Sequence, residues 1–215
     1  MELTWLGHSC FRIRGKDVTV LTDPPAPTTG YSLGRINADI VTISHTHPGH
    51  SYEKGIGNSP YIVRGPGEYE IKNVLITGVQ TYHDDERGAR LGRNTAYVLH
   101  IDDLLICHLG DLGHVLDDKQ QEIISGCDVL LLPVGGGNAL DAKRAVEVIG
   151  QVEPQVIVPM HYATPALKAS AGTLDPVEKF FHEMGVEVSE PLPKLTLTRG
   201  SLPPEPQVVL LAYRG

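Results

Sequence analysis

Three histidines within six residues, His45, His47 and His50 in SHTHPGHS, are the side chains of this sequence best suited to chemistry. They directly follow the apolar run Ala38 to Ile43, in which IVTIS has the alternation of a strand. Side chains two apart on an extended backbone point the same way, so His45 and His47 can reach one ion together, and His50 lies one turn further on. Neutral imidazole is the commonest protein ligand for zinc and similar ions. The triplet therefore reads as a metal site. A polar loop that is His-rich by chance is the competing reading, and it leaves unexplained the other ligand-type residues that end strands elsewhere in the chain.

Further ligands are expected at the C-terminal ends of strands, where loops converge on one cleft. Four segments fit. LITGVQ runs through Thr81 and Tyr82 into His83, LLICHLGD ends in Asp111, VIVPMHY carries His161, and VTVLTDPP carries Asp23. Any one of these alone is more often a turn or cap residue. Their joint occurrence is harder to dismiss.

The elements that must position them are mostly short strands in the first half of the chain: Glu2 to Leu6, Phe11 to Arg14, Val18 to Leu21, Ala38 to Ser44, Tyr61 to Val63, Tyr69 to Ile71, Val74 to Gln80, Thr95 to Ile101 and Leu104 to His108. After that, strands and helices alternate. Asp128 to Pro133 and Val156 to Met160 are apolar runs of buried-strand type. One helix is expected near Asp117, with Gln120 as its capping partner, and another over Asp141 to Val152 with Ala142, Ala145, Val146, Ile149 and Val152 on one face. In a third, Asp175 is the expected N-cap, Pro176 the first-turn proline and Gly185 the stop. Leu195 to Arg199 and Val208 to Tyr213 are expected as closing strands. The pattern predicts a layered α/β sandwich in a single domain over residues 1–215.

Composition narrows the function. The chain has 215 residues and a formal net charge of -8, which argues against general affinity for a nucleic acid backbone. Cys10, Cys107 and Cys127 show no CxxC spacing, so buried reduced thiols are expected and not disulfides. MELTWLGHSC lacks the pattern of a signal peptide, and no uncharged stretch reaches about 18 residues. The expectation is a cytoplasmic protein with a small-molecule substrate and no membrane or nucleic acid partner; a homo-oligomeric state is left open.

Taken in order, WLGHSCFRI, LTDP, SHTHPGH, the strand-ending His83, ICHLGD and VPMHY resemble the metallo-β-lactamase superfamily, and within it the stand-alone family that includes the ascorbate-phosphate lactonase. The resemblance covers nearly the whole chain. It implies a four-layer αββα sandwich with the site at one edge. It also implies two divalent ions, Zn2+ or Mn2+, one on His45, His47 and His83 and the other on His50, Asp111 and His161, with Asp111 bridging. Asp23 is implied as a support for the His loop, a carboxylate that orients imidazoles. His8 is assigned the same supporting role. His108 is read as structural and His114 as a candidate facing the cleft, while His100 and His182 have no such context.

The sequence departs from the family's HxHxDH pattern at Gly49, where an aspartate normally binds the second metal and orients the attacking hydroxide. The second site is accordingly expected to be weak or empty, or its lost carboxylate to be replaced by Asp84 or His114 in proton handling. Without that carboxylate a filled pair of ions is about one unit more positive, which favours an anionic substrate. Arg87, Arg90 and Arg93, in the loop after His83, are candidate anion-binding residues. The leading expectation is a metal-dependent hydrolase of a small anionic ester, lactone or phosphoester. The alternative is a metal-binding protein with little or no catalysis, whose second site has decayed at Gly49.

Overall fold

Leu3, Trp5, Phe11, Ile13 and Val20 face one apolar core, while Leu6, Cys10, Leu21 and Val41 face another. That division follows from the period of two in the first strands. The computed structural model describes residues 1–214. Its strands are β1 (Glu2–Gly7), β2 (Cys10–Arg14), β3 (Thr19–Thr22), β4 (Ile40–Ile43), β5 (Tyr61–Arg64), β6 (Gly67–Ile71), β7 (Val74–Tyr82), β8 (Arg93–Ile101) and β9 (Leu104–His108), followed by β10 (Val129–Pro133), β11 (Val156–Met160), β12 (Leu195–Thr196) and β13 (Gln207–Val208). The α-helices are α1 (Asp118–Ile124), α2 (Ala142–Val152) and α3 (Val177–Met184). One sheet has the order β12-β1-β2-β3-β4-β5 and the other β13-β11-β10-β9-β8-β7-β6. The two share the larger core, which Leu3, Trp5 and Phe11 enter from the first sheet and Ile76, Ala96 and Leu99 from the second.

Topology decides what covers the outer faces. From β9 to β10, β11 and β13 the chain steps in one direction through parallel neighbours. The helix α2 packs against both α1 and α3, so the three form one layer along these strands. In the first sheet the parallel steps β3 to β4 and β4 to β5 are made without an α-helix. Pro24, Pro25 and Pro27 crowd the first crossover and Pro48 opens the second, so 3₁₀ turns form there instead. Leu33, Ile36 and Ile56 from these loops cover the second, smaller core. The expected sandwich is present, and one of its outer layers is built from loops.

The helix starts are largely as predicted. Asp117 and Gln120 form the capping box of α1, and Asp141 caps α2 by accepting from Arg144 N. In α3 the N-cap is Pro176, with no side-chain cap bond, and not Asp175, whose carboxylate pairs with Lys179 at 2.6 Å. Gly185 ends that helix in the left-handed conformation. The closing strands are only two residues each. Thr198 caps a 3₁₀ turn, Arg199–Ser201, which stops the first of them. No helix among the described residues is long and apolar enough to cross a membrane.

β1, β3 and β4 are mutually parallel because β2 reverses twice between β1 and β3. β8 does the same between β7 and β9, so β7, β9, β10 and β11 also run one way. The loops that leave β1, β3, β4, β7, β9 and β11 carry His8, Asp23, the His triplet, His83, Asp111 and His161 in turn. One buried hydroxyl ties the two sheets beside that edge: Tyr97 Oη donates to Ile43 O at 2.9 Å, with Val63 O at 3.3 Å. Tyr97→Phe is expected to lower the unfolding free energy by about 1–2 kcal/mol, read from urea denaturation. An unchanged midpoint would show that the bond contributes nothing net.

Candidate metal centre

Asp23 organises the His loop. It is fully buried, and its Oδ1 accepts Ser44 N at 2.8 Å while Oδ2 accepts His50 Nδ1 at 2.8 Å and the Ser44 hydroxyl. Since a carboxylate only accepts, the Ser44 proton goes to Asp23, and Ser44 Oγ is left to accept His45 Nδ1–H at 2.9 Å. His45 and His50 therefore both present an Nε2 lone pair to the cleft. His83 is fixed in the same way, with Nδ1–H donated to Asn138 O at 2.6 Å and Nε2 buried without a hydrogen-bond partner. Hydrogen bonds of this kind set tautomer and ring orientation in metal sites. The turn itself closes on His47 O, which accepts His50 N at 2.9 Å and Ser51 N at 3.1 Å.

The rings converge in two groups. His45 Nε2 and His47 Nδ1 are 3.0 Å apart, and with His83 their ligand atoms lie within 4.8 Å of one another. Two ligand atoms on one tetrahedral zinc sit about 3.3 Å apart, so this spacing fits a shared ion. Asp111 Oδ2 lies 3.0 Å from His50 Nε2, 3.3 Å from both His83 and His161 Nε2, and 3.8 Å from His45 Nε2. Its loop is held by Asn94, which accepts Asp111 N at 3.0 Å and donates to Leu109 O and Thr81 Oγ1. Gly110 must be glycine: φ is 58°, and a Cβ there would sit 2.4 Å from Asn94 Oδ1.

Charge follows the same geometry. Burial works against the Asp111 carboxylate, yet His161 and His50 hold its pKa well below the usual range. Burial likewise works against the His50 cation, yet Asp111 and Asp23 raise its pKa to about 10. His45 is pushed down to about 3 by burial and by His50. The cluster demands buried positive charge, and a divalent ion at the unpaired imidazole nitrogens supplies it with better directed bonds than a proton. The donor set fits metal.

The sequence suggests a supporting role for His8 beside Asp23, but that is not where its ring sits. Its ring instead lies next to those of His50 and His161, with centroids 4.9 and 4.4 Å away, and the three form a further group of possible ligands. His161 and Gly49 are also in the cleft, which has a volume of about 620 Å³. Thr28, Thr29, Asn138 and Thr173 line its walls, and among the described residues no Arg or Lys does. Gly137 and Asn138 bring the PVGGGN segment to this rim. The bond from His83 to Asn138 O had no signal in the sequence, because any residue type offers a backbone carbonyl.

Several expected residues lie elsewhere. Arg87, Arg90 and Arg93 are exposed and do not line the cleft; Arg90 faces Glu86 at 3.7 Å. His114 is outside the cleft too, and both its nitrogens are engaged: Nδ1 with Val115 O at 2.7 Å, and Nε2 accepting Tyr82 N at 3.1 Å. It is a support for the end of β7 and not a group facing substrate. His108 is fully buried with Nε2 on Ser9 O at 2.8 Å, the structural role expected. Asp84 does not replace a missing ligand, because its two oxygens accept four backbone N–H groups, those of Glu86, Gly88, Arg90 and Leu91, at 2.7 to 3.0 Å. These bonds hold its pKa low against desolvation. Asp84→Ala is expected to speed limited proteolysis within residues 85–92 while leaving bound metal per chain unchanged. Loss of metal in this variant would return Asp84 to the site.

The profile of the Beta-lactamase superfamily domain matches residues 2–161 of the chain. A UPF0173 metal-dependent hydrolase of Methanopyrus kandleri is 28% identical over 222 aligned residues, covering 88% of this chain and 92% of its own. Another, from Carboxydothermus hydrogenoformans, is 27% identical and covers 80% and 89%. A crystal structure from Thermotoga maritima, provisionally assigned as a Zn-dependent hydrolase of the metallo-beta-lactamase superfamily, superposes with a TM-score of 0.80 at 34% identity over 99% of both chains. The chain belongs to the beta-lactamase superfamily, among its metal-dependent hydrolases.

Proposed function

We propose that the chain hydrolyses a small anionic ester, lactone or phosphoester at a pair of divalent ions, the first held by His45, His47 and His83 and the second by His50, His161 and Asp111. The observation that carries this reading is the convergence of four imidazole Nε2 atoms on Asp111 Oδ2, which suits a bridging carboxylate. A set dominated by imidazole favours zinc, with manganese the alternative. When bound, such ions lower the pKa of water and polarise the carbonyl or phosphoryl group under attack.

The chain's own residues do the rest. Asp23 and Ser44 keep His45 and His50 in the tautomers that face the cleft, and Asn138 O does so for His83. With one carboxylate among neutral imidazoles, a filled site retains a positive charge of about +2 after one hydroxide is counted. Because no Arg or Lys among the described residues lines the cleft, that charge, and not the loop arginines, is what favours an anion. The volume of about 620 Å³ suits a small molecule.

Protein stripped with a chelator is expected to lose hydrolysis of lactone and phosphoester probes and to recover it with Zn2+ or Mn2+. His47→Ala and Asp111→Ala should each lower the rate by about 100-fold or more, since even supporting groups of metal sites cost 10- to 100-fold. Steady-state rates on such a panel check this. Turnover that survives chelation, or that is unchanged in Asp111→Ala, would contradict it. Tightly bound metal without turnover of any probe would favour the non-catalytic alternative.

A further inference from the structure

Gly49 stands where the family pattern has a metal-binding aspartate, and the space beside it is not empty. A Cβ built on Gly49 would lie 2.6 Å from His8 Nε2 and 2.9 Å from His8 Cδ2. The imidazole of His8 therefore fills the volume that a side chain at position 49 would need. The ring is buried, 4% exposed, and its Nδ1 is shut away from solvent without a hydrogen-bond partner. One of its nitrogens lies within 4.8 Å of ligand atoms on both His50 and His161.

The backbone is shaped to put it there. His8 has φ of 53°, the left-handed region that residues with a Cβ rarely adopt. Its carbonyl accepts His161 N at 3.1 Å and Trp5 Nε1 at 3.0 Å, so this strained residue is clamped to the strand end that carries a ligand. Strain of this kind persists only where the surroundings over-determine it, and it collects at functional sites. A buried imidazole nitrogen without a hydrogen-bond partner, on a ring facing two other imidazoles, is poorly satisfied without a cation.

We infer that His8 is a ligand of the second metal ion, taking the place of the aspartate absent at Gly49. This rests on the two-ion reading above and extends it. The second ion then has His8, His50, His161 and Asp111. Gly49 is a requirement of this arrangement and not a sign of decay, because a side chain there would expel the His8 ring. A neutral imidazole replaces a carboxylate, which is why the second ion keeps its protein donors while the site stays more positive.

The test uses chelator-stripped full-length protein, reloaded with Zn2+ and desalted, with metal per chain by elemental analysis and second-site affinity by Co2+ titration followed in the visible spectrum. Wild type is expected to hold two equivalents. His8→Ala should keep one and bind the second more than about 100-fold more weakly, the retained first ion serving as the check on folding. Gly49→Ala should weaken the second site in wild type and add nothing further in His8→Ala, since both changes remove the same donor. His8→Ala combined with Gly49→Asp should recover the second equivalent, the carboxylate taking the place of the lost imidazole donor. Two tightly bound ions in His8→Ala would overturn the inference and leave the two-ion reading standing. Loss of both ions in that variant, or a single ion in wild type, would also overturn it, and wild type with no metal would overturn the reading on which it rests.

Discussion

Asp111 Oδ2 lies within 3.3 Å of Nε2 on His50, His83 and His161 at the buried floor of the cleft, and a carboxylate so buried is tolerable only where positive charge meets it. Much of the local structure follows from meeting that condition. The imidazoles come from three separate strand ends, so those ends must be brought to one edge. The strand order does this by pairing each forward strand with a reverse neighbour or a crossover, which leaves the site-bearing strands parallel within each sheet. A site spanning residues 8 to 161 thus depends on non-local pairing, and its geometry is a product of the whole fold.

The rings must also be held with the correct nitrogen inward. Asp23, Ser44 and Asn138 accomplish this with acceptors that leave no ambiguity about which ring nitrogen carries the proton. Asn94 performs the matching task for the loop of Asp111, and Tyr97 joins the sheets just behind the His triplet. None of these groups is among the proposed metal ligands. They fix the lone pairs that make binding directional, and a small displacement in any of them would be passed to the ligands.

The parts of this arrangement that the sequence disclosed are those governed by local rules. Alternation over IVTIS aimed the triplet, ligand-type residues at strand ends gave His83, Asp111 and His161, and the Asp117 and Asp141 caps marked α1 and α2. What escaped depended on long-range geometry. Asp84 looked available until four backbone N–H groups closed on it, and that same closure leaves the arginines of the loop facing solvent. His114 lost both nitrogens to the backbone around it. The position of His8 depends on a left-handed φ and a clamp from residue 161, neither of which a linear pattern can express. The final strands were overestimated because apolar spacing continues through Leu197 and Leu211 even where ladder pairing does not.

Two ions sharing Asp111 is the central claim, and it is tested most directly by crystallography of the zinc-loaded protein with anomalous scattering at the zinc edge. The account predicts two peaks about 3.5–4 Å apart at the strand-end edge, with Asp111 Oδ2 between them and His45, His47 and His83 around one. A single peak, or two that do not have Asp111 in common, would contradict it.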